Sequence, residues 1–104
     1  HFRVSEYKGT PVVAVSGDVD LSNAHELSAI LDETANGGPL AIDLTQLFFI
    51  DSTGLNAIAR CGRTQIDQGD ELFLIVDRAP VRKIFEIVAF DQQFNVLTSL
   101  DDLP

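Results

Sequence analysis

The chain has 104 residues and a formal net charge of -9 at pH 7, with 7 Lys and Arg residues against 16 Asp and Glu residues. This length fits one folded domain spanning 1–104, and the apolar share of 45% is ordinary for a globular protein. The basic residues are scattered, and Arg60 with Arg63 is the nearest approach to a cluster. We therefore expect neither nucleic acid nor a membrane as a partner, but a protein with a basic docking face.

The cysteine content and the hydropathy pattern indicate a cytoplasmic protein. A single cysteine, Cys61, cannot form an internal disulfide, which fits a reducing compartment. No apolar run approaches the roughly 20 residues that a membrane-spanning helix needs. The first residues show no signal-peptide pattern either.

The first half of the chain predicts a hairpin and a helix. Alternation of apolar and polar residues predicts a strand over 2–7, and after a short turn a second strand covers 11–16. The helix that follows has a capping-box pattern between Asn23 and Glu26, with Ser22 as a competing N-cap. An Asn-Gly-Gly sequence ends this helix.

Strands and helices then alternate. The predicted elements are a strand over 40–44, a helix from Ser52, a strand over 71–76, a helix from Pro80 and a strand over 94–97 that is followed by a possible cap at Ser99. The apolar residues of the helix from Ser52 fall on one side and are Leu55, Ile58, Ala59 and Ile66. This order predicts a single α/β domain, with a mixed sheet opened by the N-terminal hairpin and alternating helices packed on it.

The segment 48–55 is the most informative part of the chain for function. It places the hydroxyls of Ser52 and Thr53 where a strand and loop give way to a helix. A helix start offers free backbone N–H groups and a partial positive charge, which suit a phosphate group. The plainer interpretation is that Ser52 is an N-cap, because serine is among the best capping residues. Local physics alone favours this plainer interpretation.

Two motifs carry a resemblance to a known family. Asp51-Ser52-Thr53-Gly54-Leu55 after an apolar loop, together with Gly17-Asp18-Val19-Asp20 before the first helix, resembles the STAS domain (sulphate transporter and anti-sigma factor antagonist). The order of strands and helices matches this family along nearly the whole chain. In its bacterial antagonists, the serine after the motif aspartate is phosphorylated by a partner that is both anti-sigma factor and kinase. The unmodified antagonist binds this partner and frees the sigma factor, and the phosphorylated form is released.

The resemblance implies that Ser52 is phosphorylated, with Thr53 a weaker candidate at the same helix start. The implied partners are an anti-sigma factor with serine kinase activity and a phosphatase. We expect the partner to contact Asp20, Leu21, Ser22, Asn23, Phe48, Phe49, Asp51, Ser52, Thr53 and Asn56. Adjacent residues of an extended segment point in opposite directions, so we expect one of Phe48 and Phe49 in the core and the other against the partner. Asn56, with Arg60 and Arg63, also fits a plain solvated helix face.

Two other classes of function remain open. A STAS module can scaffold a larger assembly, as the cytoplasmic tail of an anion transporter or as a subunit of a stress-sensing complex. An enzyme would need a convergent set of acid, base or nucleophile, which the sequence does not offer. Cys61 has no activating His or Lys near it in sequence, and His25 is the sole internal histidine, so zinc-ligand spacing is absent. We expect no catalytic residue, metal or cofactor.

Overall fold

The computed structural model describes all 104 residues, His1–Pro104. Its strands are β1 (Phe2–Tyr7), β2 (Thr10–Val19), β3 (Leu40–Ile50), β4 (Leu72–Ile75) and β5 (Asn95–Leu97). Its helices are α1 (Ala24–Thr34), α2 (Ser52–Asp67), α3 (Ala79–Ile87) and α4 (Phe90–Gln93), and a 3-10 turn covers Leu100–Asp102. The predicted order of elements is confirmed, and α4 is an additional short helix.

The five strands form one sheet in the order β1-β2-β3-β4-β5. β1 pairs with β2 in antiparallel fashion, and each later pair is parallel. Parallel neighbours need a crossover, and each helix between two of them supplies one. The predicted α/β class, with a mixed sheet opened by a hairpin, is confirmed.

The main core lies between one face of the sheet and the helices. Successive strand residues point to opposite faces, and the inward set packs against buried residues of α1, α2 and α3. This core includes Val13, Val15, Ile42, Leu44, Leu72 and Leu74 from the strands and Leu27, Leu31, Ile58 and Phe85 from the helices. Burial of these side chains, worth about 1.5–3 kcal/mol each, fixes the strand ends and helix starts relative to one another.

A smaller cluster covers the opposite face of the sheet. Val12, Ala41, Phe73 and Ile75 pack there against Leu103 from the C-terminal segment. This segment is also attached to the hairpin, because the Lys8 ammonium donates to the carbonyl oxygens of Asp101 at 2.7 Å and of Leu103 at 3.1 Å. The predicted cap at Ser99 is confirmed, since its hydroxyl oxygen accepts the Asp101 N–H at 3.1 Å.

Both strands that lead to the candidate site are longer than predicted. β2 runs to Val19 and β3 runs to Ile50, because the two strands stay paired as far as the Val19–Ile50 pair. The nine residues 17–19 and 45–50, which were expected outside the strands, therefore lie in the sheet. The site begins immediately after these strand ends.

The apolar side of α2 was predicted with one error. Ile58 is fully buried, but Ile66 is 51% exposed, and Gln65 is buried in its place. The Gln65 side-chain amide donates to the carbonyl oxygens of Gly38 at 2.9 Å and of Glu71 at 3.0 Å. Position 65 therefore holds a buried polar residue that bonds to two loop carbonyl groups. The spacing of apolar residues along the helix does not indicate where these carbonyl groups lie.

Candidate functional site

The residues of the two sequence motifs meet at one edge of the sheet. β2 and β3 are parallel neighbours, so their carboxyl ends lie side by side, as at the ligand-binding edges of many α/β sheets. The Asp51 N–H donates to the Val19 carbonyl oxygen at 3.0 Å and joins the two ends directly. The turn 20–23 after β2 therefore lies beside the start of α2.

The start of α2 is capped by Asp51. Its Oδ1 atom accepts hydrogen bonds from the backbone N–H groups of Thr53 at 2.9 Å and Gly54 at 3.2 Å, and from the Thr53 hydroxyl at 2.5 Å. The Thr53 hydroxyl bond, followed by backbone N–H groups of Gly54, Thr53 and Leu21, holds the pKa of Asp51 below its ordinary value. The interpretation of Ser52 as the N-cap is therefore wrong, because Asp51 has this role.

Ser52 and Thr53 differ in the state of their hydroxyl groups. Ser52 is the first residue of α2 and is exposed, whereas Thr53 is only partly exposed and its hydroxyl is bonded to Asp51. The amides expected to be free for a phosphate are also occupied, since Asp51 accepts from both Thr53 and Gly54. The site therefore presents one accessible hydroxyl next to a carboxylate.

Gly54, the glycine of the Asp-Ser-Thr-Gly-Leu motif, allows α2 to start close to the strand ends. A Cβ atom added to Gly54 would lie 2.7 Å from Cγ1 of Ile50 and 2.7 Å from Cγ1 of Val19. Any side chain at this position would push the first turn of α2 away from β2 and β3. Gly54 therefore helps to set the position of the neighbouring Ser52.

The turn after β2 is held by its own side chains. The Asp20 carboxylate accepts the Ser22 N–H at 2.9 Å and the Ser22 hydroxyl at 2.6 Å. Asn23 precedes α1 as predicted, but the capping box with Glu26 is wrong, because Asn23 makes no side-chain bond to the helix. Its side chain instead accepts the Asp20 N–H and donates to the Asp18 carbonyl oxygen, both at 2.9 Å. These hydrogen bonds fix the turn, and the Leu21 side chain that it carries is 72% exposed.

Phe48 and Phe49 are both on the surface, with 77% and 50% exposure, so the prediction that one belongs to the core is wrong. The reason is a register shift between β2 and β3, where Gly17 pairs with Leu47 and the next residue, Asp18, pairs with Phe49. Phe48 is the extra residue of this bulge, which interrupts strict alternation. Leu47 before the bulge is buried in the core.

A shallow groove of about 190 Å³ separates α1 from α2 beside the candidate site. It is lined by Leu21, Ala24, His25, Ser28, Thr53, Asn56, Ala57 and Arg60. Asn56 thus lies next to the other predicted contact residues. His25 and Arg60, the latter expected on a solvated helix face, also line this groove. The spacing of Thr53, Asn56, Ala57 and Arg60 at i, i+3, i+4 and i+7 is the signal that places them on one helix face.

The structure also shows the surroundings of the single cysteine, Cys61. Cys61 is a buried thiol, and burial raises its pKa to about 11, which keeps it in the unreactive protonated form at neutral pH. No three His, Cys, Asp or Glu side chains are grouped so that they could hold a metal ion. None of the helices combines the length and the hydropathy needed to cross a bilayer.

The lowered pKa of Asp51 predicts a pH-dependent contribution to stability. Asparagine can cap the helix without charge, so we expect Asp51→Asn to lower the melting temperature by about 2 to 5 °C at pH 7. The charge of Asp51 stabilises the fold above its ordinary pKa of 3.8, and this contribution is lost as the pH falls through the lower folded-state pKa. Thermal unfolding from pH 7 to pH 2 should therefore show the two proteins converging in acid. A difference that stays constant over this range would contradict the role assigned to the charge.

Comparison with known proteins gives the family and the fold. A family model described as Mlab, STAS domain matches residues 2–99. No curated protein sequence matches the chain at a significant level.

Three solved structures illustrate the similarity of fold. An anti-sigma factor antagonist from Mycobacterium paratuberculosis superimposes with a TM-score of 0.86, at 24% identity, over 98% of this chain and 88% of that one. The phosphorylated form of the Bacillus cell fate determinant SpoIIAA gives a TM-score of 0.72, at 16% identity, over 97% and 95% of the two chains. A murine anion transporter, Solute Carrier 26 family member A9, gives a TM-score of 0.74, at 22% identity, over 91% of this chain and 17% of that one. The match over 2–99, with the two motifs meeting at one sheet edge, shows that this chain belongs to the STAS domain family.

Proposed function

We propose that this domain is an anti-sigma factor antagonist of the cytoplasm, which binds its anti-sigma factor while Ser52 is unmodified and is released when that factor phosphorylates Ser52. The observation that carries the proposal is the accessible Ser52 hydroxyl at the start of α2, next to a Thr53 hydroxyl that is already bonded to Asp51. A phosphatase would restore the binding form. The similar folds of an antagonist from Mycobacterium paratuberculosis and of phosphorylated SpoIIAA support this proposal.

The surface around Ser52 suits contact with another protein. We define the docking surface as Leu21, Phe48, Phe49, Ser52 and Asn56, all of which are exposed. Its three large apolar side chains offer area that leaves water on binding, at about 25 cal/mol per Å². Asp20, Ser22 and Asn23 hold the turn that carries Leu21, so we assign them to the support of this surface as well as to its rim.

Phosphorylation would change this surface through charge. A phosphate adds about 1.5 to 2 negative charges and three acceptor oxygens at one point. It would stand next to the Asp51 carboxylate, in a protein whose net charge is already -9. An interface formed around a neutral hydroxyl would then have to face this dianion, so release follows without any change of fold.

The alternative is a STAS module that scaffolds a larger assembly, and the fold shared with the murine anion transporter favours it. Such a module does not need a modifiable hydroxyl at position 52. Phosphorylation of Ser52 and its effect on binding therefore separate the two functions.

A pull-down from the native cell with the unmodified domain, followed by labelling of the recovered complex with ATP, tests the proposal. We expect label on Ser52, loss of label in Ser52→Ala with binding retained, and retention of label in Thr53→Val. An anti-sigma factor recovered in this way is the expected partner. Label that persists in Ser52→Ala, or a recovered anti-sigma factor that never labels the domain, would contradict the proposal.

A further inference from the structure

We propose that Asp51 keeps the N-terminal amides of α2 away from a phosphate on Ser52, so that the added charge stays on the docking surface beside a carboxylate. This inference concerns the regulation of the proposed site and rests on Ser52 being the modified residue. It assigns Asp51 a part in the switch in addition to its role as a cap.

Three amides at the start of α2, those of Thr53, Gly54 and Leu55, already have acceptors within the chain. The N–H groups of Thr53 and Gly54 donate to Oδ1 of Asp51 at 2.9 and 3.2 Å, and the Leu55 N–H donates to the Asp51 carbonyl oxygen at 3.0 Å. The Thr53 hydroxyl adds a 2.5 Å bond to the same carboxylate oxygen. A phosphate could reach the Thr53 and Gly54 amides only by displacing both of their hydrogen bonds to Oδ1 of Asp51.

A phosphate at an uncapped helix start behaves differently. There it accepts hydrogen bonds from the free amides and is stabilised by the helix dipole, and its charge is partly neutralised by its own protein. In this domain the dipole already stabilises the Asp51 carboxylate, and the two anions repel each other. The phosphate charge therefore remains available to repel a partner.

Other charged groups lie around the start of α2 and act on the same phosphate. Asp18 lies near the end of β2 and Asp20 in the turn that follows it, while His25 on α1 and Arg60 on α2 line the adjoining groove. A phosphoserine has a second pKa of about 6, and His25 is the histidine that lines the groove beside it. A titration must therefore separate the effect of Asp51 from that of His25.

The experiment uses the domain with phosphoserine installed at position 52 during synthesis, so that no kinase is needed. Phosphorus NMR gives the second pKa of the phosphate in the Asp51 protein and in Asp51→Asn, whose side-chain oxygen can still accept from both amides without charge. We expect this pKa to be about 0.5 higher in the Asp51 protein, because a neighbouring carboxylate disfavours the dianion. The same difference should persist in a His25→Gln background.

Equal phosphate pKa values in the two proteins would overturn the inference. So would large proton shifts of the Thr53 and Gly54 amides on phosphorylation, since these would show that the phosphate has replaced Asp51 as their acceptor. A cell that never phosphorylates Ser52 would refute the proposed function and leave this titration unchanged. The two failures are therefore distinguishable.

Discussion

Phosphorylation of Ser52 is expected to weaken the binding of the anti-sigma factor by about 100-fold or more. A like charge that faces an interface costs several kcal/mol, and each 1.4 kcal/mol is about tenfold in affinity. The exposed hydroxyl lies within the docking surface, next to Asp51, so the new charge cannot turn into the interior. Isothermal calorimetry with the domain carrying phosphoserine at position 52 measures the effect.

A phosphoserine placed at position 64 is the matched control. Thr64 is exposed and belongs to the same helix, twelve residues further on, which corresponds to about 18 Å along the axis. This distance exceeds the Debye length of about 8 Å at physiological salt, so we expect only a small loss of affinity. Equal losses at the two positions would indicate an effect of net charge alone. Undiminished binding with the phosphate at Ser52 would refute the switch.

Replacing Gly62 by alanine is expected to lower the free energy of unfolding by about 1 to 2 kcal/mol. The added Cβ would lie 2.1 Å from Cε1 of Phe94, and an overpacked core of this kind loses roughly 1–3 kcal/mol. Phe94 cannot move aside freely, because its ring packs edge to face on Phe90 at 5.3 Å and Phe90 packs in the same way on Phe85 at 5.4 Å. Strain from this clash outweighs the gain of about 1 kcal/mol in helix propensity.

Gly38→Ala is the control for this substitution. The nearest atom to a Cβ at Gly38 is Oδ1 of Asn36 at 3.7 Å, an ordinary contact distance. We expect a change within about 0.5 kcal/mol, as for other surface substitutions. Denaturant unfolding of the two variants side by side gives the comparison. Similar free energies of unfolding for the two variants would show that Phe94 moves to make room for the added methyl group. Close packing at Gly62 would then not be what holds α2 in place.

Much of the fold could be predicted because its signals are local. The apolar residues after Pro80 recur at helical spacing and predict the helix that is observed as α3, in which Val81 and Phe85 are buried. Alternation predicted both ends of β1, Phe2 and Tyr7, correctly. Periodicity reports which face of an element is apolar, and the core is built from those faces.

The details of the site could not be predicted in the same way, because they depend on residues distant in sequence. The exposure of Phe48 follows from a bulge against β2, some 30 positions earlier in the chain. The motif Asp-Ser predicted a helix start but not which of the two residues caps it, and the Oδ1 contacts decide this for Asp51. The Asn23 side chain bonds to the backbone of Asp18 and Asp20, which precede it in the sequence. A capping-box pattern compares Asn23 only with residues that follow it, so it cannot predict these bonds.

The bulge at Phe48 places this side chain in the proposed docking surface and outside the core. With 77% of its surface in solvent, the Phe48 side chain adds little to the core, while Leu47 and Ile50 hold the register on either side. Substitution at position 48 should therefore alter the proposed docking surface with little cost in stability. Deletion of the residue would remove the bulge, and Leu47, Phe49 and Ile50 would then alternate regularly with Ile50 still directed into the core.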